Sequence, residues 1–196
     1  PILRPANVKP SCQFWLSEAV ALAVVHTLDR YIDNGVSIKW PNDIYWNDRK
    51  ICGILVEHSL SGGKIDHTIA GIGLNINQEK FLSDAPNPVS LRQIIGCDTP
   101  LPDVLHHLSE ELLRLADSLP DNAESLHAEF LSRLYRRNGL HTYRNVSDRT
   151  ADHLAAGEEF CAEIADVAPD GILTLARPDG SRPRFAFKEV EFVIGK

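Results

Sequence analysis

Lys39-Trp40-Pro41-Asn42-Asp43-Ile44-Tyr45, followed after a short turn by Arg49-Lys50-Ile51-Cys52-Gly53-Ile54-Leu55-Val56-Glu57, is the stretch on which the reading of this chain turns. Val36, Ile38 and Trp40 alternate with Ser37 and Lys39, the period of a strand with one buried face, so Lys39 is expected to point away from Trp40. Pro41-Asn42-Asp43 breaks that ladder, because proline has no N–H to give and Asn and Asp favour turns. A second strand resumes at Ile44, Asn47-Asp48 turns the chain, and Ile51 to Val56 reads as a third, almost wholly apolar strand with Lys50 at its start. Charge held beside buried strand must be paired, liganded or used. Two ammonium groups, an amide and a carboxylate at strand-end turns suit phosphate and carboxylate oxygens with a divalent cation. A surface hairpin with solvated lysines is the alternative that either lysine alone would favour.

Working outward, Ile69-Ala70-Gly71-Ile72-Gly73-Leu74-Asn75-Ile76-Asn77 reads as a strand. Its glycines admit a ligand or another backbone, and it ends in two amides able to bond a heterocycle. No third glycine follows and no helix opens, which argues against a dinucleotide fingerprint. Ser61-Gly62-Gly63 is expected to join this strand to the preceding one as a hairpin. Ser11 to Tyr31 carries Leu16, Val20, Ala23, Val24, Leu28 and Tyr31 on one helical face, the pattern of an amphipathic helix stopped by Asn34-Gly35. Leu101 to Leu119 and Asn122 to Arg137 are expected as two further helices. Leu105, Leu108, Leu112, Leu115 and Leu119 form the core face of one, Leu126, Phe130 and Leu134 that of the other, and Gly139 is the stop. Beyond Leu140 come short alternating strands with Asp170-Gly171 and Asp179-Gly180 turns. Phe185, Phe187, Val190, Phe192 and Ile194 carry the period into what reads as a small barrel.

The chain has 196 residues, 43% of them hydrophobic, and a net charge of −7 with both signs interspersed, enough for a full core and without a basic face for nucleic acid. Cys12, Cys52, Cys97 and Cys161 are scattered with no C-x-x-C pair, which suits reduced thiols in a cytoplasm rather than a disulfide or zinc framework. The adjacent His106 and His107 cannot share a metal as an i,i+4 pair would. Arg177, Arg182, Arg184 and Lys188 form a basic cluster that reads first as a solvated face. The longest apolar run, Ala19 to Val25, is too short to cross a bilayer.

Together the Lys39–Tyr45, Lys50–Glu57 and Ile69–Asn77 stretches resemble the biotin protein ligase family in order and spacing. The Pro-Asn-Asp turn and Lys-Ile-x-Gly are shared with lipoate ligases, whereas Lys-Trp before and Ile-Leu-Val-Glu after look like the biotin branch. The resemblance implies an α+β fold, a mixed β-sheet packed with helices as in class II synthetases (residues 1–138), followed by a small SH3-like β-barrel (residues 139–196). It implies activation of biotin by ATP with Mg²⁺ to biotinyl-adenylate, then transfer to a lysine of a biotin carboxyl carrier protein domain, with no DNA-binding domain, no membrane, and a homodimer as an allowed assembly. By the same resemblance Lys50, Lys39 and Asp43 are catalytic, and Lys50, Gly53, Gly71 and Gly73 line the biotin site. Lys39, Asn42, Asp43 and Asn75 bind ATP, and Asp43 orients either Mg²⁺ or the incoming amine. Family members carry further strands, a Gly/Arg-rich loop and ureido-binding residues ahead of the first helix. The chain, which begins with Pro and contains no Met, is therefore expected to lack the N-terminal part of the catalytic domain and to bind biotin poorly alone. A lipoate or octanoate ligase, or a non-catalytic regulatory relative, is the competing reading.

Overall fold

Fifteen residues, Phe14–Leu28, form helix α1, and its burial organises everything around it. Ala19 to Val25 are all buried, and so are Leu16, Glu18, Thr27 and Leu28. A helix apolar on every side must be covered on every side, and α1 is packed between a sheet and two later helices. The expected one-sided amphipathic pattern gives way to that central position: alanine and valine fill the faces between the leucines, so no polar stripe remains.

The computed structural model describes residues 1–4, 8–82, 87–147 and 154–194, and the chain divides into two compact units, Pro1–Tyr135 and Arg136–Lys196. In the first unit β1 (Ile2–Leu3), β2 (Val36–Lys39), β3 (Asp43–Trp46), β4 (Arg49–Ser61) and β5 (Lys64–Leu74) form one sheet in the order β1-β5-β4-β3-β2. Every strand ladder in it is antiparallel, not mixed as expected. The connections explain this, since Asn47 (φ 52°), Gly62 (φ 58°) and Gly63 (φ 76°) supply left-handed turn residues, and a tight hairpin joins only antiparallel neighbours. Ile38, Ile44, Cys52 and Ile54 are buried on the helix side of the sheet, where α1 meets β2, β3 and β4.

Three more helices complete the unit: α2 (Leu91–Ile95), α3 (Leu101–Asp117) and α4 (Ala123–Ser132). Ser90 and Gln93 close a capping box at the start of α2, satisfying two end-of-helix donors. Leu112, Leu115 and Leu119 are buried as expected, but Leu105 is 64% exposed, because it lies on the rim of an open groove rather than against α1. Leu126, Phe130 and Leu134 are buried. The last helix ends at Ser132, short of Gly139, because the backbone turns to pair with β2. Ile38 donates to the Arg133 carbonyl at 2.8 Å and Tyr135 to the Ile38 carbonyl at 2.8 Å.

The second unit is a five-stranded antiparallel sheet, β6 (His141–Asn145), β7 (Glu159–Val167), β8 (Leu173–Ala176), β9 (Arg184–Phe185) and β10 (Val190–Phe192), in the order β10-β6-β7-β8-β9. Among the described residues no ladder joins β9 to β10, so the sheet is not closed. Tyr143, Phe160, Phe185 and Phe192 pack its core. Phe187 departs from the expected alternation and is 55% exposed. Lys188 at φ 67° turns the chain there and ends the strand period before β10 resumes it. Arg177 of the basic cluster is tied to Asp179 at 3.1 Å. Among the described residues no helix is long and apolar enough to cross a membrane.

Candidate active site

Strand register assembles the site. Lys39 pairs with Asp43, Asp43 with Gly53 and Gly53 with Gly73, so residues from four separate strands stand in one row across the sheet. Facing pairs share a side of the sheet, and this row lies on the side away from α1. One row further on, Leu55 pairs with Gly71. Gly71 and Gly73 are exposed, neither has a positive φ, and a Cβ on Gly73 would meet only the Gly53 carbonyl at 3.5 Å. Neither backbone conformation nor internal packing demands glycine at 71 or 73. Their absence of side chain leaves a flat floor on which a ligand can approach the backbone.

Lys50 reaches this face through an irregularity that strict alternation would not place. Positions 50 and 53 have opposite parity, so a regular strand would send Lys50 to the buried side. Between Ile44 paired with Cys52 and Tyr45 paired with Lys50, β4 carries one residue more than β3. Such a bulge re-aims a side chain. The Lys50 ammonium lies 2.6 Å from Asp43 Oδ1, and its Nζ and Cε are each 3.3 Å from where a Gly53 Cβ would stand. Gly53 is thus the bed across which the lysine lies. The backbone of Lys50 is held from the side: its N–H donates to the Asn87 carbonyl and its carbonyl accepts from Val89, both at 2.9 Å. Arg49 adds a bond to the Pro88 carbonyl at 3.0 Å.

The amides divide their labour. Asn42 donates through Nδ2 to the Ile54 carbonyl at 2.6 Å, while its own carbonyl accepts from Ile54 N at 2.9 Å. It thereby pins the turn after the cis Trp40–Pro41 bond onto β4. Asn75 donates to the Val89 carbonyl at 3.1 Å, which fixes the amide plane. Asn77, read with Asn75 as a heterocycle donor, spends both ends of its amide on Thr99, at 2.9 and 3.0 Å. Beneath the site, burial and then the Asp43 charge push the Cys52 thiol up to about 12, so it stays protonated and inert. Burial, and then the Asp43 charge, likewise raise the Tyr45 hydroxyl to about 12. Sequence assigns Tyr45 no role, although it follows Asp43 by two residues on the same strand face. Chemically, the arrangement is an open apolar and glycine floor ending in two lysines and a carboxylate, a place to hold an anion whose neutral part lies along the floor.

Residues 4–75 match the Biotin/lipoate A/B protein ligase family. The likeness runs to the biotin branch. The bifunctional ligase/repressor BirA of Bacillus subtilis is 34% identical over 98 residues, covering 47% of this chain and 30% of that protein. Biotin–protein ligase 2 of Arabidopsis thaliana is 27% identical over 193 residues, 91% of this chain and 56% of that one. The chain therefore spans well under two thirds of these relatives. The structure of the Aquifex aeolicus biotin protein ligase in complex with biotin and ATP superposes with a TM-score of 0.69 at 19% identity over 92% of this chain and 72% of that one, a shared fold.

Proposed function

We propose that this protein is a biotin protein ligase. The observation that carries the reading is the row Lys39–Asp43–Gly53–Gly73 with Lys50 swung onto the same face. A biotin carboxylate oxygen attacks the α-phosphorus of ATP and pyrophosphate leaves. An acceptor lysine amine then attacks the acyl carbonyl of the resulting anhydride, forming the amide, and AMP leaves. Both steps move negative charge through one crowded centre, where cations already oriented lower the barrier most. Lys50, held by Asp43 and Gly53, meets the carboxylate and the α-phosphate; Lys39 faces the outgoing phosphates; Gly71, Gly73 and Leu55 carry the apolar part of the acid. Asn75 presents the free part of its amide to adenine. Asn42 acts by fixing the turn that presents Asp43.

Among the described residues no group of three or more His, Cys, Asp or Glu could hold a metal. We read Mg²⁺ as a companion of the nucleotide phosphates, with Asp43 the carboxylate that would hold it, its usual mode beside ATP, where it would offset phosphate charge. We read the second unit as an opened SH3-like module, the acceptor as a carrier-protein domain, and the compartment as cytoplasmic, in keeping with the four free cysteines.

Exchange of labelled pyrophosphate into ATP tests the proposal in the full-length protein. Biotin should drive it while lipoate and octanoate do not, and Lys50→Ala should slow it at least about a hundredfold, the scale of removing one preorganised donor from an anion site. Exchange driven equally by lipoate would overturn the substrate, and near-normal exchange in the variant would overturn the role of Lys50.

A further inference from the structure

Tyr45 sits on β3 between the strands that carry the two lysines. On one side it is the diagonal neighbour of Lys39, whose direct partner is Asp43; on the other it stands opposite Lys50. Diagonal cross-strand neighbours are within reach of aromatic and long side chains. The Lys39 ammonium indeed lies 5.4 Å from the centre of the Tyr45 ring, inside the range of a cation–π contact. The ring is only 4% exposed and is braced by the Tyr135 ring at 5.3 Å between centroids. Tyr135 in turn donates its hydroxyl hydrogen to the Asp48 carboxylate in the β3–β4 turn.

We propose that Tyr45 is a positioning residue whose ring face holds the Lys39 ammonium over the row where the nucleotide phosphates are bound. A free lysine side chain wanders over many rotamers, and an ammonium resting on a fixed ring loses much of that freedom before the ligand arrives. The role in catalysis rests on the ligase reading above; the contact itself does not. The hydroxyl plays no part in it, so the ring alone is required.

Two measurements on wild type, Tyr45→Phe and Tyr45→Leu separate contact from function. The first is the proton chemical shift of the Lys39 ε-methylene group, assigned by its loss in Lys39→Arg. The second is KM for ATP and kcat in biotin-dependent pyrophosphate exchange. Wild type and Tyr45→Phe should share an upfield ring-current shift and KM values within about twofold. Tyr45→Leu should lose the shift and raise KM for ATP about three- to tenfold with a smaller change in kcat, the scale of one cation–π contact. A wild-type ε-methylene at the position of a solvated lysine overturns the proposal, as does a folded Tyr45→Leu with an unchanged KM. If wild type shows no exchange at all, the ligase reading fails while the shift still judges the contact. If Tyr45→Leu does not fold, the shift in wild type and Tyr45→Phe decides: absent from either, the proposal falls.

Discussion

Ile38 and Lys39 are neighbours in the chain, yet they belong to opposite surfaces of one sheet. On the inner surface Ile38, Ile44 and Cys52 face one another across three strands and are fully buried. On the outer surface the next row is Lys39, Asp43, Gly53 and Gly73, with no side chain at all on two of its four members. The same backbone thus carries the buried core on one side and the proposed site on the other, sorted by the two-residue period of a strand. The outer row is polar and partly bare, while the apolar packing against α1 lies wholly on the inner side.

That separation can be broken by substitution. The largest stability effect is expected on the inner side, where Ile44→Ala should cost about 2–5 kcal/mol, the usual range for truncating a buried isoleucine. Urea denaturation measures it, and the exchange rate per folded molecule should stay within about twofold. On the outer side the expectation reverses for Gly53→Ala. Its Cβ would press on Lys50 Cε and Nζ at 3.3 Å and displace the ammonium. Pyrophosphate exchange should fall about tenfold, the scale of slightly misplacing a group with the role proposed for Lys50, while the urea midpoint stays nearly unchanged. The smallest effect concerns His58, on the inner side of β4 and bonded to Thr68 Oγ1 at 2.9 Å. Burial lowers its imidazole pKa below the ordinary 6.5. As pH falls through that value the unfolded chain takes up the proton first, so stability is full above it and declines below it. His58→Gln should therefore flatten the loss of urea midpoint between about pH 7.5 and 5.5; an unchanged slope would mean the group is not desolvated.

Much of this arrangement was legible in the sequence. The alternation of Val36, Ile38 and Trp40, the Pro-Asn-Asp turn and the Gly-Gly hairpin locate β2 to β5, because local backbone chemistry decides them. Other features depend on partners distant in sequence. The bulge that turns Lys50 outward exists only in the pairing of β3 with β4. Asn77 looks like Asn75 until Thr99 engages its amide. Helix α4 stops at Ser132 because Tyr135 is drawn to β2 by a backbone bond, a tertiary demand that overrides helical leucine spacing. Leu105 has the spacing of a core residue and lies instead on the rim of a groove of about 630 Å³ with Ile2, Ala70, Ile72 and Leu108. Hydrophobic period indicates which face is apolar and is silent on what covers it.

The most direct test of the central claim is to locate the ligands by backbone amide chemical-shift mapping of the full-length protein titrated with biotin and ATP. The largest shifts are expected at Lys39, Asp43, Lys50, Gly53, Gly71, Gly73 and Asn75, with α1 and the inner row little changed. Shifts concentrated instead in the groove around Leu105 and Leu112 would contradict it, because the ligand would then occupy the helix side of the sheet and the lysine row would have no anion to hold.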